Sequence, residues 1–101
     1  MNFEKSDDGT SLILTLDKKL SAVTAVELEK ILKEKLKGVT NFTVDMSKLV
    51  YISSAGLRIL LQAQNLINSV HGTMTVKNSL PEVMSIFKTS GFDEILNIEG
   101  A

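Results

Sequence analysis

Cysteine is absent from this 101-residue chain, and proline and histidine occur once each, at Pro81 and His71. The missing thiols exclude disulfides, thiolate nucleophiles and most zinc sites. A lone His excludes metal or proton-relay sites built from several imidazoles, and Met46, Met74 and Met84 fit core positions better than ligand positions. A serine nucleophile would need a base held by a third group. His71 sits beside a helix-stopping Gly72, a full helix away from the serines of interest, where it suits the C-terminal end of a helix dipole. No cofactor, no metal and no enzymatic activity are therefore expected. With one Pro, no low-complexity stretch and no internal repeat, little room is left for a linker, and residues 1–101 read as one domain. Charge excess is missing too: 11 basic residues face 12 acidic ones, for a net charge of −1, which argues against a broad nucleic-acid surface. The N-terminus lacks the basic start and apolar run of a signal peptide, and no stretch approaches the roughly 18 apolar residues of a membrane span. The expectation is a cytoplasmic protein without membrane insertion.

What the chain does have is alternation of two periods. Leu12, Leu14 and Leu16 alternate with Ile13 and Thr15, a strand that ends near Asp17, with Phe3 on a short edge strand beside it. Thr24 with Glu27 fits a capping box, after which Leu28, Ile31, Leu32 and Leu36 recur at helical spacing until Gly38. The charges from Glu27 to Lys37 fall on a solvated face, with Glu29 and Lys33 spaced for a pair. Phe42, Val44 and Met46 read as the central strand. A second helix turns Leu57, Leu60, Leu61, Ala63, Ile67 and Val70 inward and ends at Gly72. Thr73 to Val76 form another strand, and Ser79 with Glu82 suggests a second capping box ahead of Val83, Ile86 and Phe87. Phe92 to Leu96 suggest a last short helix, and Ile98 an edge strand. Strands alternating with helices imply an α/β fold with a mixed or mostly parallel sheet covered by helices.

The segment with functional chemistry joins the central strand to the second helix: Val44-Asp45-Met46-Ser47-Lys48-Leu49-Val50-Tyr51-Ile52-Ser53-Ser54-Ala55-Gly56-Leu57. Two hydroxyls sit where the chain turns into a helix, whose first N–H groups have no internal partner and whose dipole favours negative charge. Ser54 could simply cap that helix by accepting the N–H of Gly56 or Leu57. On local chemistry alone the cap is the plainer role; a phosphate on Ser54 would also be stabilised there. Asp45 is near enough in sequence to approach the corner, yet no second group is placed to complete a catalytic triad.

The acidic strand end, the apolar approach and Ser-Ser-Ala-Gly-Leu opening a helix resemble the anti-sigma factor antagonists of the STAS family, whose signature ends in Asp-Ser-Ser/Thr-Gly-Leu. The resemblance extends along the chain through Thr24-Ala25-Val26-Glu27-Leu28, Asn78-Ser79-Leu80-Pro81 and Thr89-Ser90-Gly91-Phe92. It places the phosphorylated serine at Ser54, the Gly at Gly56 and the Leu at Leu57. The chain departs from the pattern at Ser53, where the family has Asp, at Ala55, where it has Ser or Thr, and at Ser21, where a Gly-x-Leu-Asp stretch usually supplies Asp.

The fold implied is a mixed sheet of four to five strands covered by about four helices. The function implied is a binding module that captures an anti-sigma factor serine kinase, so releasing a sigma factor, and that the kinase inactivates by phosphorylating Ser54. A serine phosphatase would reverse the modification. Ser53, Ser54, Gly56 and Arg58 are expected to rim the contact, with Ser21 and Thr24 from the neighbouring loop. Two alternatives stay open: a STAS subunit of a lipid-transport or other ATPase complex that is not phosphorylated, and a minimal hydrolase with Ser54 as nucleophile.

Overall fold

The structure is a computed structural model and describes residues 1–99. The elements are β1 (Asn2–Lys5), β2 (Ser11–Thr15), β3 (Lys19–Leu20), α1 (Ala22–Lys35), β4 (Asn41–Asp45), β5 (Tyr51–Ile52), α2 (Ser54–Ser69), β6 (Thr73–Lys77) and α3 (Pro81–Ser90), followed by one 3-10 turn at Phe92–Glu94. Strands β1, β2, β4 and β6 lie in that order in one sheet. β1 runs antiparallel to β2, whereas β2–β4 and β4–β6 are parallel, so the sheet is mixed with the expected strand at its centre. The fourth helix suggested by Phe92 to Leu96 is reduced to the 3-10 turn, and Ile98 makes a single parallel bridge to Val76 instead of a strand.

Register aligns Leu12 with Phe42 and Met74, and Leu14 with Val44 and Val76, so all six point to one face. All six are buried, while Ile13 on the opposite face is 43% exposed. The helices therefore cover one face: α1 contributes Ala25, Leu28 and Leu32, α2 contributes Leu57, Leu60, Ala63 and Ile67, and α3 contributes Val83 and Phe87. Two parallel crossovers need helices to return the chain, and α1 and α2 supply them.

Several boundary expectations are corrected. The cap of α1 is Ser21, not Thr24: Ser21 Oγ accepts the Thr24 N–H at 3.3 Å, and Thr24 Oγ1 accepts the Ser21 N–H at 2.7 Å. Thr24 answers at the third helical position, where Glu27 was expected to act. Glu82 does not box with Ser79, because α3 is preceded by Leu80 and starts on Pro81, while the Ser79 hydroxyl is buried and points at Met46 Sδ 3.8 Å away. Pro needs no N–H partner at a first helical position, so no side-chain cap is required there. Val70 is exposed because α2 has already ended, and the next residue, His71, has a positive φ of 56°. On the charged face of α1 the close pair is Glu34 with Lys37, at 3.9 Å, rather than Glu29 with Lys33.

Candidate switch site at the paired helix N-termini

The two-residue strands β3 and β5 pair in parallel, Lys19 beside Tyr51 and Leu20 beside Ile52. Each runs almost directly into a helix, so the N-termini of α1 and α2 are brought side by side. The Ser53 N–H donates to the Leu20 carbonyl at 2.9 Å, which ties the second corner to the first. Alternation sends Leu20 and Ile52 into the core and leaves Lys19 and Tyr51 outside. Neither strand is long enough to carry a readable period, which is why the sequence alone missed this pair.

At the α2 corner the two serines divide the labour. Ser53 holds an extended backbone, with φ −83° and ψ 168°, and its Oγ accepts the Gly56 N–H at 3.1 Å. It is the cap, filling the position where the family pattern has Asp; both residue types cap well because each offers a short oxygen acceptor. Ser54 is the first helical residue, exposed, and its hydroxyl makes no hydrogen bond among the described residues. The Leu57 N–H already reaches the Ser53 carbonyl at 3.0 Å. The N–H groups of Ser54 and Ala55 are thus left for a ligand, solvent or a group on Ser54 itself.

Gly56 lies beneath this corner rather than on its rim. It is buried, and a Cβ there would stand 2.8 Å from Leu20 Cγ and 2.9 Å from Ile52 Cγ1, so only hydrogen lets α2 seat on the β3–β5 pair. Expected among the residues that rim the contact, Gly56 is buried, and it sets the position of the corner. Arg58, four residues after Ser54, is exposed, while Ser21 and Thr24 are half-buried with their hydroxyls joined in the α1 cap. Asp45 faces elsewhere. Its carboxylate accepts the Ser47 N–H at 2.9 Å and the Asn78 Nδ2–H at 3.4 Å, and chiefly the Ser47 bond holds its pKa below the ordinary value. No three His, Cys, Asp or Glu side chains among the described residues are grouped to hold a metal ion.

An α/β domain with an exposed, unengaged serine at the start of a sheet-linked helix is the class defined by this geometry. Residues 2–100 match the STAS domain family, and the chain belongs to it. It is 33% identical over 88 residues to BtrV of Bordetella bronchiseptica, assigned as an anti-sigma factor antagonist, covering 86% of this chain and 76% of that protein. The fold is also that of a solved protein of Thermotoga maritima with the same assignment, at a TM-score of 0.88 and 20% identity, covering 99% of this chain and 86% of the other. The anti-sigma factor antagonist SpoIIAA, in its unphosphorylated form, superposes with a TM-score of 0.82 at 17% identity, over 98% of this chain and 89% of its own. SpoIIAA, a Bacillus cell-fate determinant, is also solved in a phosphorylated form.

Proposed function

We propose that this protein is an anti-sigma factor antagonist whose binding surface is the paired helix corner and whose switch is Ser54. The observation that carries the reading is the hydroxyl of Ser54, exposed and unengaged, above two unpaired N–H groups, while the neighbouring Ser53 hydroxyl is occupied as the cap. The partner is an anti-sigma factor that is also a serine kinase. It binds the unmodified corner and transfers the γ-phosphoryl group of ATP to Ser54 Oγ, with loss of the hydroxyl proton and release of ADP; a serine phosphatase restores the hydroxyl by hydrolysis.

Phosphate adds about −1.5 to −2 charge and three acceptor oxygens. At a helix start that charge is tolerated by the fold and gains up to about 1 kcal/mol from the dipole. The penalty falls on the interface, where like charge and incomplete desolvation weaken binding by about a hundredfold or more. The identity with BtrV supports an anti-sigma factor as the partner class, and the similarity to SpoIIAA, a protein solved in unphosphorylated and phosphorylated forms, supports a fold that accommodates phosphorylation.

Incubation with the cognate kinase and ATP should add one phosphoryl group, located on Ser54 by fragment mapping and lost in Ser54→Ala. Transfer to Ser53 instead would sink the assignment, because it would require the cap to be given up. Stable copurification with a transport ATPase, without modification of Ser54, would replace this reading by the ATPase-subunit one.

A further inference from the structure

We infer that the paired corner recognises a partner surface with an apolar centre edged by carboxylates, and that phosphate on Ser54 releases the partner by weakening the corner's positive field and repelling those carboxylates. The inference rests on the proposed function and specifies the chemistry of its partner. Its apolar part is direct. Val23 and Val26, one turn apart on α1, are 72% and 54% exposed, and Tyr51 on β5 is 47% exposed. These residues surround the entrances to α1 and α2, and nothing in the fold covers them.

The charged part comes from a one-sided balance. Lys18 and Lys19 lead through β3 into α1; Lys48 lies in the turn before β5; Arg58 lies one turn into α2. The Lys18 carbonyl accepts the N–H groups of Val50 and Tyr51, at 2.8 and 3.2 Å, which fixes these segments against one another. Among the described residues none of the four cations is in a salt bridge. Neither α1 nor α2 has an acidic residue in its first turn, in contrast to α3, which has Glu82.

The nearby carboxylates offset one of these cations. Asp17 is paired with the Met1 ammonium, whereas Asp45, bonded to the neutral Ser47 N–H, keeps its charge, and Lys48 lies near enough to both to help depress their pKa values, so its charge is partly balanced. Glu27, one turn beyond Val23, remains as the exposed acid on this side of α1. Two helix N-termini without first-turn acids, together with Lys18, Lys19 and Arg58 against Glu27, give the corner a positive field around an apolar patch. An acidic partner is complementary to it, and charges of this kind act mainly on encounter and discrimination. A phosphate on Ser54, at the start of α2, would add about −1.5 to −2 charge against the positive charge of Lys18, Lys19 and Arg58, cancelling about half or more of it, and would present its own negative charge to the partner's carboxylates.

The test is calorimetric titration with the nucleotide-bound anti-sigma factor serine kinase at low and at moderate salt, using Lys19→Glu, Arg58→Glu and Val23→Asp, with Lys88→Glu on the distant α3 as a control. Thermal melts establish that each variant is folded. The expected result is an affinity loss of about tenfold or more on raising the salt, and a similar loss in each of the three corner variants with Ser54 unmodified, the control being unchanged. Binding that ignores salt and both charge reversals, yet is still abolished by phosphorylation of Ser54, overturns the acidic-partner inference and leaves the proposed function standing. Absence of binding to any such kinase overturns the proposed function and this inference with it. Lys19-dependent binding to phosphatidylglycerol vesicles without kinase binding overturns both in favour of a membrane surface.

Discussion

At the scale of single residues the site turns on small atoms. The sequence offers Ser54 as the candidate cap, and the structure corrects this through the backbone: Ser53 is extended and caps, Ser54 is helical, and only an extended residue can turn its oxygen back onto the third helical N–H. The sequence located the corner and named both serines, yet it could not assign Gly56. Read locally, that glycine invites the idea of a ligand approaching the backbone, in which case Ala, the better helix former, would do no harm to the fold. The close Leu20 and Ile52 atoms argue the opposite. Gly56→Ala gains about 1 kcal/mol of helix propensity and meets about 1–3 kcal/mol of overpacking against the Leu20 and Ile52 side chains, which are buried and so have little room to swing away. The expected outcome is a protein less stable by up to about 2 kcal/mol, measured as a lower urea midpoint at unchanged slope, with partner binding reduced through the folded fraction. A variant of wild-type stability that has lost binding would restore the local reading.

At the scale of elements, long periodic segments were legible and short or irregular ones were not. β2, β4, β6 and the three α-helices follow from apolar spacing, because each buries one face against a common core. β3 and β5 carry two residues each, and the caps of α1 and α3 depend on backbone placement that spacing does not encode. The turn between β4 and β5 contains a testable case. Asp45 is the acidic strand end that the sequence implies, the last residue of β4, and it is also the acceptor that closes this turn, through the Ser47 N–H and Asn78. Those bonds hold its folded-state pKa below the ordinary value of 3.8, against the opposing effect of partial burial. A depressed carboxyl pKa contributes stability above the unfolded pKa, and that contribution is lost as pH falls through the folded value. Asp45→Asn keeps an oxygen acceptor and removes the charge. Its deficit relative to wild type should therefore be full at about pH 5 and above, and should shrink as pH is lowered below 3.8; denaturation midpoints across that range measure it. A deficit that stays constant with pH would mean that shape, not charge, is what Asp45 supplies. Asp8 and Asp17, also depressed, shape the acid limb of both proteins alike and cancel in the comparison.

At the scale of the whole molecule, the three helices pack on one face of the sheet, and the corner stands where the chain enters α1 and α2. A switch placed there must change what a partner meets without loosening the core beneath it. The geometry separates those demands: Leu20, Ile52, Gly56 and Leu57 are buried, whereas Ser54 and Arg58 are exposed on the following turn. The proposed switch therefore predicts that charge at position 54 is thermodynamically silent in the free protein. Ser54→Asp places a carboxylate at the first helical position near the unpaired N–H groups, where the dipole contributes about 0.3–1 kcal/mol in its favour and the neighbouring cations add to it. Its unfolding free energy should lie within about 0.5 kcal/mol of wild type or above it, while affinity for the anti-sigma factor falls by tenfold or more. Ser53→Ala is the complementary variant, since it removes the cap and should cost about 1 kcal/mol of stability while leaving Ser54 available to the kinase. Urea denaturation and titration on the same two proteins separate a switch from a scaffold residue. If Ser54→Asp lost more than about 2 kcal/mol, position 54 would be part of the packed corner, and a reversible charge there would unfold the molecule as it switched it.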